Sequence, residues 1–319
     1  MDLEQKAFER LRLGEQMSKQ YYNKPLIICY SGGKDSDVLI QLAINSGIDF
    51  EVLHNHTTAY APETVRHIRD TFKRLELQGI KCTVEYPMYK GKRTSMWDLI
   101  PQKMMPPTRI MRYCCSVLKE KGGQNRAIAT GVRWSESRAR SKRGIYEDIN
   151  SNKDKKIILN NDNDDKRLLF ERCEKQAKTV VNPIIDWQEQ DVWDYLKENN
   201  VSCNPLYECG FKRVGCIGCP MAGKHRYEEF RSYPKYKQMY IHAFDRMLEV
   251  RRQNGKSSTW QESYDVFRWW MEEDFNQYEI GEEFFKEEAD EPINKEKYSK
   301  RNRICCRQSH SGTLCKCNR

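Results

Sequence analysis

The chain has 319 residues, of which 38% are hydrophobic and 32% charged, and its formal net charge is +9 at pH 7. The positive charge favours polyanionic partners such as nucleotides or nucleic acid. No apolar run approaches the roughly 20 residues of a membrane-spanning helix, and residues 1–20 lack a signal-peptide core, so we expect a cytoplasmic protein with no membrane partner. Thirteen cysteines in such a compartment indicate metal or redox chemistry more than disulfides.

The first two-thirds of the chain alternate segments with strand and helix patterns. The apolar run at 26–30 predicts a buried strand, and residues 38–44 have a helical spacing that stops at Gly47. Further strands are predicted at 50–53, 80–86, 126–130 and 180–187, and helices at 62–78, 95–100, 109–120 and 190–199. The alternation predicts an α/β fold, with a mostly parallel sheet and helices on both of its faces.

Composition divides the chain into four parts. We predict an N-terminal helix at 1–24, a strand-and-helix domain at 25–220, a helical, aromatic-rich region at 221–291 and a basic, cysteine-rich tail at 292–319. Within the second part, residues 150–166 are rich in Asn, Asp and Lys, which predicts a surface excursion. The aromatic side chains beyond Pro220 have the spacing of a helical core, and we favour that interpretation over cofactor contacts.

The stretch Ser31-Gly32-Gly33-Lys34-Asp35-Ser36 joins the first predicted strand to the helix after it. Glycines let the backbone turn tightly and approach a ligand, and the amides of a first helical turn face that ligand with the positive end of the helix dipole. The two serines add hydroxyl donors, and Lys34 adds a cation. The stretch therefore predicts a phosphate-binding loop, with a spacing that differs from that of a Walker loop.

Two further segments are predicted to border the same crevice as this loop, because ligands bind outside the carboxyl ends of parallel strands. They contain Thr57 and the run Gly131-Val132-Arg133-Trp134-Ser135-Glu136-Ser137-Arg138-Ala139-Arg140. The planar guanidinium of arginine matches phosphate or sulfate oxygens, which makes Arg133 and Arg140 candidates for the site. Arg138 is explained equally well as part of a solvated basic loop.

Cys114-Cys115 and Cys216-Ile217-Gly218-Cys219 form the second chemical signal in the chain. A C-x-x-C turn presents two thiolates to one metal, and a second pair completes a four-thiolate set. Adjacent thiolates on a helix diverge by about 100°, given 3.6 residues per turn. This divergence favours the separated corners of a [4Fe-4S] cluster, with zinc as the alternative.

These motifs resemble two nested groups of proteins. The loop at 31–36 resembles the PP-loop of adenine-nucleotide α-hydrolases, which act at the α-phosphate of ATP or of an adenylyl compound. From about residue 25 to 220 the chain resembles the phosphoadenosine phosphosulfate (PAPS) reductase family. The residues that carry this resemblance are Gly131, Arg133, Ser137 and Arg140 on the pattern G-x-R-x-x-Q-S-x-x-R, and the segment from Asn182-Pro183 to Gly210-Phe211. The four cysteines resemble the [4Fe-4S] set of the adenylyl-sulfate (APS) reductase branch.

The resemblance implies a PP-loop nucleotide-binding domain at 25–220. The nucleotide-binding residues that it implies are Ser31, Gly32, Gly33, Lys34, Asp35, Ser36, Thr57, Gly131, Arg133, Ser137 and Arg140. The cluster ligands that it implies are Cys114, Cys115, Cys216 and Cys219. Two departures matter, since the chain lacks the E-C-G-x-H segment of true reductases and keeps the intact loop of members that cleave ATP.

The intact loop favours an enzyme that uses ATP in sulfur transfer. Lys34, Asp35 and Arg133 are the candidate catalytic residues, with Asp35 placing Mg²⁺ and the two cations stabilising the leaving group. One alternative is an APS or PAPS reductase that makes sulfite through a tail cysteine such as Cys315 or Cys317. Another is a nucleotide-binding sensor or complex subunit without turnover.

Several partners follow from this hypothesis. We expect an adenine nucleotide and a sulfur donor or thiol reductant protein, and the positive charge allows nucleic acid as the sulfur acceptor. The choice between ATP and APS or PAPS, the oligomeric state and the role of the tail cysteines stay open at this point. Those cysteines are Cys305, Cys306, Cys315 and Cys317.

Overall fold

The computed structural model describes residues 2–149, 157–159, 178–256 and 258–272. Contacts within the chain divide it into two compact units. The sheet unit comprises Met1–Met96, Arg112–Asn204 and Val214–Cys216, and the helical unit comprises Trp97–Met111, Pro205–Arg213 and Ile217–Arg319, each to the extent of its described residues.

The described part of the sheet unit contains one sheet of seven strands and a separate hairpin. In chain order the strands are β1 (Leu26–Cys29), β2 (Phe50–Asn55), β3 (Cys82–Glu85), β4 (Met88–Tyr89), β5 (Lys92–Arg93), β6 (Ala127–Ala129), β7 (Tyr146–Ile149), β8 (Ile157–Leu159) and β9 (Lys178–Val181). The order in the sheet is β3-β2-β1-β6-β9-β7-β8, and β4 pairs with β5 in the hairpin. Five neighbouring strands of the sheet, β3, β2, β1, β6 and β9, are parallel to one another. Strand β7 pairs antiparallel with both of its neighbours, β9 and β8.

Helices surround this sheet and form the helical unit. They are α1 (Leu3–Tyr22), α2 (Lys34–Ser46), α3 (Pro62–Leu77), α4 (Met96–Lys103), α5 (Tyr113–Leu118), α6 (Glu189–Glu198), α7 (His225–Ser232), α8 (Pro234–Gln253) and α9 (Ser263–Glu272). Pro62 occupies the first position of α3, where no amide proton is needed. Gly47 ends α2 with φ +69°, a left-handed conformation that favours glycine.

Strands β1, β2, β6 and β9 are buried on both faces, as is usual in a parallel sheet, whereas β3, at the end of the strand order, is largely exposed. Adjacent residues of β1 point to opposite faces, and Ile28 joins one apolar cluster while Ile27 joins another. The larger cluster includes Leu11 of α1 and Leu39 of α2, and both are fully buried. Helices α1 and α2 therefore cover the face of the sheet that contains Ile28, and the parallel pairing brings the carboxyl ends of β1, β2 and β6 to one edge.

The predicted fold class, a mostly parallel α/β sheet followed by a helical region, is confirmed. The predicted strand at 180–187 is shorter, because β9 ends at Val181 and turns follow at 183–186, where Pro183 lacks an amide proton. Strands β7 and β8 were not predicted. The predicted excursion at 150–166 contains β8, but its other residues and the tail at 292–319 lie outside the described residues. The four domain boundaries stay predictions.

Aromatic side chains form the core of the helical unit, as predicted. Phe230, Tyr240, Phe244 and Trp270 are at most 1% exposed. The ring centroids of Tyr240 and Trp270 lie 4.7 Å apart, and those of Phe230 and Tyr240 lie 5.7 Å apart. Across the described helices, none combines the length and the apolar character that crossing a bilayer requires.

Candidate nucleotide site

The predicted phosphate-binding loop lies between β1 and the first turn of α2. Gly32 has φ +74°, and a Cβ atom there would lie 2.8 Å from Cγ1 of Ile68 on α3. Both the backbone conformation and the close approach therefore require glycine at this position. Lys34 begins α2, so the positive end of the helix dipole faces the loop, while the Ser36 amide already donates to the Gly33 carbonyl at 2.9 Å.

Ser36 organises the loop from inside. Its Oγ donates a hydrogen bond to the carbonyl of Gly33 at 2.7 Å and accepts one from the Gly33 amide at 3.2 Å. It also lies 3.3 Å from the amide of Ser31, which donates to it. The Ser36 hydroxyl proton is thus engaged by the loop itself, and the side chain is 4% exposed.

The three predicted catalytic residues lie together. Oδ1 of Asp35 accepts a hydrogen bond from Nε of Arg133 at 2.6 Å, and Oδ2 lies 3.2 Å from Nζ of Lys34. Arg133 is 2% exposed and Lys34 is 6% exposed. The segment of Gly131 packs closely against the start of α2, because a Cβ at residue 131 would lie 2.9 Å from the carbonyl oxygen of Asp35. Two cations therefore flank one carboxylate at the N-terminus of α2.

Ser137 and Arg140 lie further out on the same segment. Glu136, which stands where the PAPS reductase pattern has Gln, forms an ion pair with Arg140 and accepts the Arg133 amide at 3.0 Å. Oγ of Ser137 accepts the Arg140 amide at 3.3 Å. Both Ser137 and Arg140 are exposed, so their predicted nucleotide contacts stay predictions.

Asn204 is a residue of this site that the sequence did not single out. Its Nδ2 donates to the carbonyl of Gly32 at 2.9 Å and to Oγ1 of Thr64 at 3.1 Å, and it is fully buried. The available signal was its place in the segment that resembles the second family signature. Thr57, which was predicted, is also fully buried and accepts a hydrogen bond from Sγ of Cys216 at 3.3 Å.

Three of the four predicted cluster ligands belong to the sheet unit, and Cys219 belongs to the helical unit. Cys114 and Cys115 lie on α5, and the hydrogen bond from Cys114 lowers the pKa of the Cys115 thiol to about 5, with further help from the Arg112 and Lys119 charges. Nη2 of Arg112 lies 3.4 Å from Sγ of Cys115. A thiolate is the form that binds metals, so the chemistry of this donor suits the predicted role.

The C-x-x-C turn is anchored within the helical unit. The carboxylate of Glu229 accepts the Gly218 amide at 2.7 Å, and the hydroxyl of Tyr240 donates to the carbonyl of Ile217 at 2.9 Å. Gly218 has φ +72°, and a Cβ there would lie 2.5 Å from the ring of Phe230. The shape of the turn that contains Cys219 is therefore set by buried aromatic and acidic side chains.

A comparison with known families shows which family the chain belongs to. The model of the phosphoadenosine phosphosulfate reductase domain matches residues 25–222, which is more than half of the chain. The chain belongs to that family. An uncharacterized protein of Methanocaldococcus jannaschii is 27% identical over 79% of this chain, and the chain covers 54% of the length of that relative, about half.

Other members of this PAPS reductase family resemble the chain more weakly. An adenosine 5'-phosphosulfate reductase of Anoxybacillus flavithermus is 24% identical over 66% of this chain and 79% of its own length. The solved structure of a PAPS reductase from Candida auris, in complex with phosphate, has a TM-score of 0.41 with 15% identity. The match covers 64% of this chain and 87% of the chain of the Candida auris reductase.

The cluster predicted for this family member was tested against the donor geometry. Across residues 2–149, 157–159, 178–256 and 258–272, no three His, Cys, Asp or Glu side chains lie close enough to share one metal ion. The thiolate character of Cys115 suits a metal, but the described donors are not gathered as a ready-made site. The [4Fe-4S] cluster and its zinc alternative therefore stay predictions.

Lys119 is a second residue that the sequence did not single out. Its Nζ lies 5.5 Å from the centroid of the Tyr60 ring, and its positive charge lowers the pKa of Cys115. Tyr60 in turn forms an isolated antiparallel bridge with Cys216. The available signal was a lysine four residues after Cys115, which is the spacing of one helical turn.

Proposed function

We propose that this member of the PAPS reductase family binds ATP at the loop of residues 31–36 and activates an acceptor at the α-phosphate for sulfur transfer. One observation carries the proposal. The Asp35 carboxylate is held between Arg133, at 2.6 Å, and Lys34, at 3.2 Å, beside an intact S-G-G-K-D-S loop. This is a cationic, preorganised site at a helix N-terminus, where a polyphosphate is stabilised.

In the proposed reaction, an oxygen of the acceptor attacks the α-phosphorus of ATP. The bond between the α-phosphorus and the bridging oxygen breaks, and pyrophosphate leaves. The positive end of α2, with the side chains of Lys34 and Arg133, would stabilise the negative charge on the leaving group. Asp35 would help to place Mg²⁺ when the nucleotide arrives. A sulfur nucleophile then displaces AMP from the activated acceptor.

The cysteines are proposed to serve the sulfur half of the reaction. The [4Fe-4S] cluster, when bound by Cys114, Cys115, Cys216 and Cys219, would supply a site for labile sulfur. The hydrogen bond from Cys114 and the charges of Arg112 and Lys119 lower the pKa of the Cys115 thiol to about 5, which favours the thiolate that binds iron. A thiol reductant or sulfur donor protein is the expected partner.

Reduction of APS or PAPS to sulfite is the second candidate function. It is favoured by the curated relatives that are adenosine 5'-phosphosulfate reductases and by the adjacent cysteines on α5. The missing E-C-G-x-H segment counts against it, since a tail cysteine such as Cys315 or Cys317 would have to replace that nucleophile. Binding of either nucleotide without turnover would instead indicate a sensor or complex subunit.

The decisive experiment compares nucleotides on anaerobically purified protein. We expect pyrophosphate exchange into ATP, assayed with and without total cellular RNA as acceptor, and no sulfite from APS or PAPS with a thiol donor. Lys34→Ala and Arg133→Ala should each lower exchange about 100-fold, the loss typical of one transition-state donor. Arg138→Ala, a matched change at an exposed residue of the same segment, should have no effect. Sulfite release without exchange would overturn the proposal in favour of a reductase.

A further inference from the structure

A cavity in the sheet unit lies apart from the loop of residues 31–36. It has a volume of about 220 Å³ and opens where β2 and β3 end. Asn55 and Glu85, the last residues of these strands, supply polar groups to it. Met88, Val117 and Leu118 supply its apolar walls. An apolar slot with an amide and a carboxylate has the character of a site for a flat, hydrogen-bonding ring.

The hairpin of β4 and β5 brings positive charge to the rim of this cavity. Its turn residues, Lys90 and Gly91, have φ of +50° and +77°, as a tight two-residue hairpin turn requires. Lys90, Lys92 and Arg93 are all exposed. Lys121 also lines the cavity, and its Nζ donates to the carbonyl of Met88 at 3.2 Å. Among the described residues, four cationic side chains therefore lie on the hairpin and at the rim of the cavity.

One of these four cations, Arg93, stacks on an aromatic ring. The guanidinium carbon of Arg93 lies 3.8 Å from the centroid of the Tyr86 ring, and Tyr86 is 47% exposed. The ring of His56 meets Tyr86 edge-on, with centroids 5.4 Å apart. Arginine planes and aromatic rings are the surfaces on which unpaired bases stack.

We propose that this surface binds single-stranded nucleic acid. One unpaired base occupies the cavity, with its amino and imino groups on Glu85 and Asn55, and a neighbouring base stacks on the Arg93–Tyr86 pair. Lys90, Lys92 and Lys121 bind the flanking phosphates. The inference goes beyond the proposed function and would identify the class of acceptor for it.

Charge distribution favours a nucleic acid over an acidic peptide at this surface. Glu85 is a carboxylate in the cavity itself, so an acidic side chain placed there would meet a like charge. A base, in contrast, presents N–H donors to the carboxylate, while its phosphates stay outside on the lysines. The carboxylate lies inside the cavity and the four cations lie at its rim. In the same way, the base of a nucleotide is separated from its phosphate.

The test is fluorescence anisotropy with a labelled 12-nucleotide single-stranded RNA of mixed sequence, at 50 and 200 mM salt. We expect the double variant Lys90→Ala with Lys92→Ala to weaken binding at least 10-fold and to reduce its salt dependence. Tyr86→Ala should weaken binding about 10-fold through lost stacking. The matched double variant Lys73→Ala with Lys197→Ala removes two exposed lysines of the same unit and should bind as the parent protein does.

Three outcomes would overturn the inference. They are an absence of binding at 50 mM salt, equal affinity of the hairpin variants and the parent protein, and displacement of the RNA by an equimolar acidic peptide or by free AMP. ATP binding by calorimetry, in the absence of RNA, should be unchanged in the hairpin variants. A failure of RNA binding can therefore be separated from a failure of the proposed ATP chemistry.

Discussion

Arg133 and Asp35 are 98 positions apart in the chain, yet Nε of Arg133 donates to Oδ1 of Asp35 at 2.6 Å. The pair joins the segment after β6 to the first turn of α2. Because Arg133 is 2% exposed, its charge is shielded from water and depends on this partner. The two segments that the sequence assigned to one crevice are thus joined by a charge-assisted hydrogen bond.

Replacing Arg133 by lysine should impair ATP binding and turnover. Lysine keeps the charge but loses the planar fork that reaches Asp35 and, at 3.0 Å, Oγ of Ser135. A charge-assisted hydrogen bond of this kind contributes about 1.5–3 kcal/mol. Because its loss leaves the cation at residue 133 poorly positioned, we expect the Kd for ATP, measured by calorimetry, to rise at least 10-fold. Arg138→Lys is the control, and an equal effect of the two changes would contradict the assignment.

Gly32→Ala should abolish nucleotide binding, whereas Gly79→Ala should not. Both glycines are left-handed, with φ of +74° and +80°, so either alanine costs about 1–2 kcal/mol of backbone strain. A Cβ at residue 32 would also lie 2.8 Å from Ile68, while one at residue 79 meets nothing within 4 Å. Thermal unfolding and ATP calorimetry of the pair separate the two effects. Retained binding in Gly32→Ala would show that the loop tolerates displacement.

Anaerobic purification should yield iron and labile sulfide in equal amounts, with about four of each per chain for one [4Fe-4S] cluster. Changing Cys114, Cys115, Cys216 or Cys219 to serine should lower both, because each change removes one predicted ligand. Cys82→Ser, at a cysteine outside the predicted set, is the matched control and should retain the parent content. Stoichiometric zinc without sulfide would replace the cluster prediction by its alternative.

Acidification should destabilise the fold through His54. Burial lowers the pKa of His54 to about 4, from 6.5, and its Nδ1–H donates to the carbonyl of Tyr30 at 2.9 Å. The unfolded chain therefore binds a proton between pH 6.5 and 4 that the folded chain does not, so stability falls as the pH falls through that window. The full effect, below pH 4, is about 3 kcal/mol.

Urea unfolding at pH 7.5 and pH 5 measures this effect. His54→Gln keeps an amide donor for the Tyr30 carbonyl but cannot titrate. The variant should therefore lose less stability than the parent protein between the two pH values. An equal loss in the two proteins would assign the acid sensitivity to other groups.

The local elements and the mostly parallel class of the sheet were predictable from the sequence, whereas the two antiparallel strands β7 and β8 were not. The loop of residues 31–36 and the strand before it carry their pattern within ten residues, and the structure has both in place. Strand β7 is short and half polar, Tyr-Glu-Asp-Ile, and it pairs antiparallel with β9 on one side and with β8 on the other. Such pairing depends on tertiary context that no local pattern encodes.

The same distinction applies to the site. Arg133 was predicted because it lies in a motif, whereas Asn204 and Lys119 act through partners far along the chain. Asn204 reaches Gly32 across 172 positions, and Lys119 lies against Tyr60. Their roles depend on where α5 and the segment after α6 fold, so a single sequence offered only their spacing.

Ser36 has a thermodynamic consequence for the loop. One hydroxyl group accepts the amides of Ser31 and Gly33 and donates to the Gly33 carbonyl, so the loop is already folded around its own side chain. A phosphate that arrives there does not have to pin down a mobile backbone. Each residue that needs no ordering spares about 1–2 kcal/mol of conformational entropy. Binding of an anion to this loop should therefore carry only a small unfavourable entropy. In the Ser36→Ala variant, calorimetry should show a larger unfavourable entropy of binding.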